Sequence, residues 1–474
     1  MKIGLLSLGC PKNLVDGEVM LGMARDAGHE ITADAASADV LVVNTCAFID
    51  AAKEESVDAI LEMAELKRSG GAKKLIVTGC LGERYRDQLK AEIPEIDVVL
   101  GTGDVPDIVR AISGARTEPL AAPISLFRSR RELPGGAADS APMEPFAAPE
   151  PSEAGPTYLY DASTPRLLTT PRHFAYVKVA EGCDYTCAFC IIPKLRGAYR
   201  SRDEASIVTE AESLAARGVR ELLLISQDTT FFGIDRGERG ALARLLRRLN
   251  QIPGLAWIRL LYLYPTTITD DVLDAMAECE KVCNYIDLPL QHAADDVLRR
   301  MRRPGSRAVY DKLLARIRSR VPDVTLRTTF IVGFPGETDA DVQALEDFVR
   351  ASEFDHVGVF TYSHEEDTRA FSMTDDVPAR TKRARKNRIM KVQQQIAARR
   401  RRAQVGTTVR VLVDGPSPES ALVVTGRLEG QAPDIDSIVV LSEFDPDVAV
   451  PGAVLEARII GTAGYDLVAA PLPA

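Results

Sequence analysis

This 474-residue chain lacks the sequence features of a membrane protein and of a general nucleic-acid binder. It has no stretch of about 20 consecutive apolar residues, so no transmembrane helix is expected. Its first residues, MKIGLLSLGCPKN, become polar too soon for a signal peptide and indicate a strand instead. The formal net charge of −10 disfavours general binding to nucleic acid. We therefore expect a cytoplasmic protein that does not associate with membranes.

Cysteine is also scarce, with eight residues in the chain, but six of them form two triplets. In a reducing cytoplasm, clustered cysteines more often bind metal than pair as disulfides. The compact triplet is Cys183, Cys187 and Cys190 in EGCDYTCAFC, and the dispersed triplet is Cys10, Cys46 and Cys80. Three thiolates are one fewer than the usual four ligands of an iron–sulfur cluster. Each triplet therefore predicts a cluster with one iron open to another molecule.

Residues 1–118 indicate a small doubly wound α/β domain. Four runs in it are almost wholly apolar, as expected for parallel strands that helices cover on both faces. These runs are Ile3–Leu8, Val40–Asn44, Leu75–Thr78 and Val98–Leu100. Residues 119–170 are dense in Ala, Pro, Gly and Glu without a sustained period, so we expect a partly disordered linker.

Residues 171–402 predict six further strands that alternate with helices such as Ala205–Arg217 and Ala241–Asn250. The predicted strands are Phe174–Ala180, Glu221–Ser226, Trp257–Tyr262, Tyr285–Leu290, Thr325–Val332 and Val357–Thr361. Six βα units make a partial TIM-like barrel, short of the eight in a complete one. Residues 403–474 hold five short segments separated by turn residues, which predicts a small antiparallel β-barrel of OB-like type. The predicted fold class is α/β with this barrel appended.

The compact triplet directly follows the first predicted strand of the partial barrel, the end at which such folds place their sites. Its Cys-x3-Cys-x2-Cys spacing lets one loop surround a cubane cluster. The alternative is a structural zinc site, which requires a fourth ligand. The nearest downstream cysteines, Cys279 and Cys283, are about 90 residues away, and we expect them to be unligated. The spacing therefore favours a cluster.

Each cysteine of the dispersed triplet ends an apolar run: IGLLSLGC, VLVVNTC and KLIVTGC. A single cysteine in such a position is usually a small buried hydrophobic residue. Here three of four predicted strands end in this way, and the carboxyl ends of parallel strands share one edge of a sheet. We therefore expect the three sulfurs to converge on a second cluster that faces the first.

Over nearly its full length the chain resembles the methylthiotransferase family of the radical S-adenosylmethionine superfamily. The motifs that carry the resemblance are GCPKNLVDGE, NTCAFI, TGC, EGCDYTCAFCIIP, RGAYRSR, LPLQH and GFPGET. The resemblance implies an N-terminal methylthiotransferase domain, a radical S-adenosylmethionine barrel and a C-terminal TRAM domain. It further implies two [4Fe–4S] clusters, S-adenosylmethionine, and a low-potential electron donor of the flavodoxin or ferredoxin type. In the family, one cluster generates the 5′-deoxyadenosyl radical and the N-terminal cluster delivers the methylated sulfur.

Several side chains near the expected barrel mouth are candidates for contact with S-adenosylmethionine. Phe189 occupies the aromatic position typical of the family motif, and packing is its alternative role. The other candidates are expected to lie at the barrel mouth: Gln227, Gln291 and Thr329, with Asp228, His292 and Tyr362 as further mouth positions. Arg196, Arg200 and Arg202 follow the compact triplet and are either solvated charge or contacts to an acidic substrate or a cofactor carboxylate. In GFPGET we favour a turn with a capping box of Thr338 and Asp341 over a phosphate cradle.

The known branches of the family modify an adenosine in transfer RNA or an aspartate in a ribosomal protein. Residues 406–474 contain three Arg against ten Asp or Glu, a net charge of −7. A domain with this charge should repel a phosphate backbone and attract a basic ribosomal protein. GQAPDIDSIVV, LGCPKNLVD and SQDTTFFGID also resemble the ribosomal-protein branch. We therefore expect methylthiolation of the β-carbon of an aspartate in small-subunit ribosomal protein twelve.

Two alternatives stay open at this point. The first is a methylthiotransferase that acts on an adenosine of transfer RNA. The segment Arg380–Arg402 is the feature in its favour: it holds eleven Lys or Arg and no acid, and is either an exposed helix face or a surface for transfer RNA phosphates. The second alternative is a non-catalytic iron–sulfur or zinc scaffold that uses its small barrel for docking.

Overall fold

The structure, a computed structural model, describes residues 1–114, 155–417 and 420–473, which form two compact units. The first unit comprises Met1–Ala47, Ala51–Tyr158 and Thr164–Leu167, and the second comprises Phe48–Asp50, Leu159–Ser163 and Leu168–Ala474. Most of the linker predicted at 119–170 lies outside the described residues, and 155–173 contain no helix or strand. No helix in the described ranges is both long and apolar enough to cross a membrane.

The first unit is built on a five-stranded parallel sheet in the order β2-β1-β3-β4-β5. Its strands are β1 (Lys2–Ser7), β2 (Glu30–Thr32), β3 (Val40–Thr45), β4 (Lys74–Gly79) and β5 (Val98–Val99). Its helices are α1 (Pro11–Asp26), α2 (Asp50–Arg68), α3 (Cys80–Arg84), α4 (Arg86–Glu92) and α5 (Ile108–Ser113). The doubly wound fold is confirmed. The edge strand β2 was not predicted, because its three residues form no apolar run.

The second unit contains six parallel strands in two three-stranded sheets, β10-β9-β6 and β11-β12-β13. A bridge between Ile258 and Val282 joins the two sheets, which confirms the partial barrel. The strands are β6 (Phe174–Lys178), β9 (Glu221–Ile225), β10 (Trp257–Leu260), β11 (Tyr285–Asp287), β12 (Thr325–Val332) and β13 (His356–Thr361); β7 (Ala180–Glu181) pairs with β8 (Arg200–Ser201) at one side.

Helices accompany these strands, and those from residue 204 onward bury a shared apolar core against them. They are α6 (Ile192–Arg196), α7 (Glu204–Ala216), α8 (Ala241–Asn250), α9 (Asp270–Glu278), α10 (Asp295–Arg300), α11 (Arg307–Arg320) and α12 (Asp339–Ser352). The predicted capping box is present at α12. Thr338 Oγ1 accepts from the Asp341 amide at 3.2 Å, and Asp341 Oδ2 accepts from the Thr338 amide at 2.9 Å.

The predicted basic helix is α13 (Ala379–Gln404). Six of its cations bind acidic or polar groups of the neighbouring barrel and C-terminal domain. They are Lys382 with Asp375, Arg385 with Glu337, Arg388 with Glu346, Arg399 with Glu353, Arg400 with Asp355 and Arg401 with Ser437. Much of the positive charge of α13 therefore stabilises the protein itself rather than forming an open basic surface.

The C-terminal residues form a closed barrel in the order β14-β15-β16-β18-β17, as predicted from five short strands. These strands are β14 (Thr408–Ser417), β15 (Ser420–Arg427), β16 (Val439–Leu441), β17 (Val454–Ala463) and β18 (Asp466–Pro471). All neighbouring pairs are antiparallel except β16 and β18, which are parallel. The alternating pattern predicted the barrel but not this one parallel closure.

The C-terminal barrel docks against the first residues of the strands of the partial barrel, through buried ion pairs. Glu221, the first residue of β9, accepts from Arg427 at 2.6 Å and from Arg259 at 2.8 Å. Arg427 also pairs with Asp414 at 2.9 Å, and Asp414 contacts His173 at 2.8 Å. The compact cysteine triplet follows the opposite end of β6, so this docking face lies away from it.

A second buried contact on the same face uses the APDIDS segment noted in the sequence. The Asp436 side chain is 1% exposed and accepts from Tyr285 Oη at 2.7 Å. Arg327 Nε and His356 Nδ1 each lie 3.4 Å from its Oδ1. Asp414 and Asp436 therefore hold the C-terminal barrel in place, and only the remaining acidic side chains are left to attract a basic partner.

Candidate metal centres

The dispersed cysteines lie at one edge of the five-stranded sheet, as predicted. Cys10 is the N-cap of α1 after β1, Cys46 follows β3, and Cys80 is the first residue of α3 after β4. The register pairs Thr45 with Gly79, so Cys46 and Cys80 leave neighbouring strands at the same level. This confirms the expected common edge within the first unit.

The loop that carries Cys10 packs closely on Cys46. Gly9 has a φ of +87°, and a Cβ at this position would lie 2.7 Å from Cys46 Cβ and 3.0 Å from its Sγ. Only glycine avoids this collision and adopts the left-handed backbone without strain. The glycine of LGC thus brings the first cysteine loop against the second cysteine.

Asn13, which no sequence pattern marked as a site residue, fixes this loop. Its side chain is buried, and Nδ2 donates to Leu8 O at 2.8 Å and to Thr45 O at 3.0 Å. Asn44 Nδ2 donates in turn to Asn13 O at 2.7 Å. These bonds join the residues that precede Cys10 and Cys46. The position of Asn13 in the motif GCPKN could have pointed to it, but the spacing of the motif does not show which backbone groups Asn13 binds.

The compact triplet lies on a loop that backbone contacts hold from several sides. The Cys183 amide donates to Gly197 O at 3.1 Å, and the Ala188 amide donates to Met301 O at 2.8 Å. Gly182 has a φ of +88°, and a Cβ there would lie 2.0 Å from Ala198 O. The loop therefore packs directly against the backbone that follows α6.

All three compact cysteines line a cavity of about 380 Å³. Its other walls come from the loop itself, from α6 and from residues 367–369 after β13. Lys194 and Arg369 are the cationic residues at its rim, and Lys194 Nζ lies 3.2 Å from Asp367 Oδ1. The segment 367–369 was not predicted to reach this site, because it is far from the triplet in sequence.

Burial disfavours the thiolate forms of Cys183 and Cys190 when no positive centre is present. Burial raises the pKa of Cys183 to about 11, with further contributions from the neighbouring Cys187 thiol and from Asp228. Burial and the same Cys187 neighbour also raise the pKa of Cys190. Three thiolates here need a positive centre to stabilise them together, which the iron–sulfide core of a cluster provides, while the core and its three thiolates together remain negatively charged. The donor set and the cavity therefore fit a cluster.

None of the eight cysteines, all in described segments, forms a disulfide. Within 1–114, 155–417 and 420–473, no three Cys, His, Asp or Glu side chains are arranged to hold one metal ion. A four-iron cluster separates its cysteine sulfurs more widely than one ion does. The donor type, the shared sheet edge and the cavity are therefore the features of the two triplets that fit a four-iron cluster.

The four predicted cofactor contacts lie near the barrel mouth, but none lines this cavity in the described structure. Gln227 Nε2 donates to Glu181 Oε1, beside the compact triplet. The Gln291 amide donates to Thr329 O at 2.9 Å, which places Gln291, four residues after β11, beside the middle of β12. Phe189 is half-buried and packs on an apolar cluster that includes Val297 and Phe334. Their contact with S-adenosylmethionine stays a prediction.

The other mouth candidates have structural partners. His292 is fully buried, and its Nδ1 accepts from the Ala294 amide at 3.0 Å. Asp228 accepts from Tyr185 Oη at 2.7 Å, and burial raises its pKa. Tyr362 Oη lies 3.1 Å from His364 Nδ1.

The three arginines after the triplet also have partners within the protein. Arg196 Nη1 lies 3.4 Å from Glu181 Oε2, and Arg200 donates to Arg196 O at 2.9 Å. Arg202 pairs with the buried Glu210. For these residues the structure shows packed positions rather than free solvated charge.

Comparison with known proteins matches three parts of the chain to known families. Residues 2–101 match the Uncharacterized protein family UPF0004, 177–349 the Radical SAM superfamily and 405–472 the TRAM domain. A ribosomal protein uS12 methylthiotransferase RimO from Koribacter versatilis is 47% identical, over 99% of this chain and 96% of that protein. The RimO of Solibacter usitatus is 48% identical, over 99% of this chain and 94% of its own.

The chain belongs to the RimO family of ribosomal protein uS12 methylthiotransferases. Each family match falls inside one of the three predicted RimO domains, although the boundaries themselves remain predictions. Among solved structures, the radical S-adenosylmethionine methyltransferase TsrM from Kitasatospora setae is similar, with a TM-score of 0.50 and 17% identity. The alignment covers 76% of this chain and 72% of TsrM, and at this identity it supports the fold alone.

Proposed function

We propose that this protein transfers a methylthio group to the β-carbon of an aspartate in ribosomal protein uS12. The observation that carries the proposal is the pair of three-cysteine sites on a chain that is nearly half identical to RimO proteins over its whole length. Because each site has three thiolates rather than four, each would leave one iron free to bind a reactant.

The two sites have different roles in this proposal. Cys183, Cys187 and Cys190 would hold the [4Fe–4S] cluster that binds S-adenosylmethionine, and Cys10, Cys46 and Cys80 would hold the [4Fe–4S] cluster that carries the transferred sulfur. When bound, these groups supply the radical and the sulfur. The protein orients them: Gly182 and the Ala188 amide fix the compact loop, and Asn13 fixes the dispersed one.

Side chains near the barrel mouth would position S-adenosylmethionine. Gln227 and Gln291 follow β9 and β11, on the side where sites in parallel α/β folds form. Thr329 lies within β12 beside Gln291, and Phe189 belongs to the compact loop. The electron required for cleavage would come from a flavodoxin- or ferredoxin-type donor. This step consumes one electron from outside the protein, so a reductant is part of the proposal.

The transfer RNA alternative finds less support. Six of the eleven cations in the basic segment are engaged within the protein. The C-terminal barrel also keeps exposed acids, among them Glu443, Asp445 and Asp447. Such a surface repels a phosphate backbone and suits a basic ribosomal protein.

The substrate is tested by mass spectrometry in a strain that lacks the gene. We expect uS12 from this strain to lose one methylthio group relative to the parent, while the modified adenosines of transfer RNA stay unchanged. Expression of the wild-type chain restores the modification, and expression of the Cys183→Ala variant does not. Loss of a methylthio group from transfer RNA, with unchanged uS12, would instead establish the alternative.

A further inference from the structure

A buried arginine lies beside one cysteine of the compact triplet, and no motif had singled it out. Arg303 follows α10 and is 7% exposed. Its Nη1 donates to Cys187 Sγ at 3.9 Å, and its Nη2 donates to Pro289 O. Among the three compact cysteines of the described structure, only Cys187 receives a hydrogen bond from Arg303, although the positive charge of Arg303 also acts on Cys190.

The guanidinium is held in one place. Its Cζ lies 3.8 Å from the centre of the Tyr264 ring, which stacks on Tyr185 at 3.8 Å with an angle of 4° between the planes. Tyr185 is anchored by its hydrogen bond to Asp228 at 2.7 Å. A cation on an aromatic face is attracted to the ring and loses freedom to move. Arg303 is therefore a fixed charge rather than a mobile one.

The charge of Arg303 is also incompletely compensated. Among the described residues it forms no salt bridge, and its buried Nε has no hydrogen-bond partner. A buried cation without a carboxylate is costly, so its environment is expected to include another negative group. An iron–sulfur cluster ligated by Cys187 supplies that negative charge at the sulfur to which Arg303 already donates.

We propose that Arg303 is a positioning residue that raises the reduction potential of the cluster at the compact triplet. This inference rests on the proposed function, because it requires a cluster on Cys183, Cys187 and Cys190. The cluster is reduced by one electron from an external donor, so the reduced form carries one more negative charge. A hydrogen bond and a nearby positive charge stabilise the reduced form more than the oxidised form.

The cations at the rim of the cavity are expected to change the reduction potential of the cluster less than Arg303 does. Lys194 is exposed and pairs with the equally exposed Asp367, and Arg369 is exposed as well. Solvent screens charges in such positions. Arg303 acts from a buried site, where electrostatic interactions are stronger. Its removal should therefore shift the potential more than removal of a surface arginine.

The test uses the full chain with Cys10, Cys46 and Cys80 changed to Ala, so that only the compact site can hold a cluster. In this background we compare Arg303→Gln and Arg303→Met with Arg302→Gln, an exposed neighbour that serves as the matched control. Electron paramagnetic resonance during a redox titration measures the reduced cluster. At a fixed applied potential we expect about a tenfold lower ratio of reduced to oxidised cluster, equivalent to ~59 mV.

Arg303→Lys should lie between the parent and the neutral variants, because it keeps the charge but not the planar fork. Parent-like potentials in both neutral variants, or an equal shift in Arg302→Gln, would overturn the inference. So would neutral variants that fail to hold about four irons while Arg303→Lys holds them, since Arg303 would then serve cluster retention. If the background protein itself binds no cluster, the proposed function fails first and the inference falls with it.

Discussion

Replacing Cys183 with Ala is expected to abolish the release of 5′-deoxyadenosine from S-adenosylmethionine, whereas replacing Cys10 with Ala should leave this release intact. Cys183 is one of three thiols around the cavity of the second unit, and no fourth cysteine lies there to replace it. Cys10 caps α1 in the first unit and takes no part in that site. The two substitutions therefore separate radical generation from sulfur delivery.

The measurement is quantification of 5′-deoxyadenosine and of methylthiolated uS12 in the same anaerobic assay. We expect Cys183→Ala to lose both products, and Cys10→Ala to lose only the modified protein. Cys279→Ala is the matched control, since Cys279 is buried in the barrel core away from the triplets. The account would be wrong if Cys10→Ala still modified uS12, or if Cys183→Ala still cleaved S-adenosylmethionine.

The second large effect is expected for stability, from replacing Arg427 with Met. The side chain is 2% exposed and bridges Glu221 of the partial barrel and Asp414 of the C-terminal barrel. Removing one partner of a buried ion pair leaves the others without compensation and costs about 3–5 kcal/mol. Arg259 and His173 still contact the two acids, so we expect a cost toward the lower end of this range.

Thermal and urea unfolding of the full chain would measure this effect. Arg410→Met is the matched control, because Arg410 is exposed on the same barrel, and surface changes usually stay within about 0.5 kcal/mol. A clear fall in the unfolding midpoint for Arg427→Met alone would support the conclusion that the buried ion pairs of Arg427 stabilise the contact between the two barrels. Equal midpoints for the two variants would show that the network contributes little.

The sequence predicted the features that repeat along the chain. Apolar runs marked all strands of the three parallel sheets except β2, and the cysteines that follow some of them marked the edge at which a site forms. The strand predicted at Tyr285–Leu290 ends at Asp287, and the backbone pairs with β12 again only at Gln291, which adopts a φ of +74° and bridges to Phe330. A continuous apolar run does not show where the backbone turns.

Contacts between distant segments were beyond the sequence. Arg303 lies 116 residues from Cys187, and nothing in MRRPG indicates a partner in the cysteine loop. Asp436 was noted only as part of a resemblance, and its burial against Tyr285 and Arg327 depends on how two barrels dock. A charge pattern gives the sign of the net charge of a segment. It does not show which of the charged side chains form ion pairs within the fold, as α13 illustrates.

The central claim is that each cysteine triplet holds its own cluster, and iron analysis tests it most directly. After anaerobic reconstitution, the parent chain should bind about eight irons, and each variant with one triplet changed to Ala about four. Mössbauer spectra should show cubane clusters in every case. Loss of all iron when either triplet is removed, or about four irons in the parent, would contradict two independent sites.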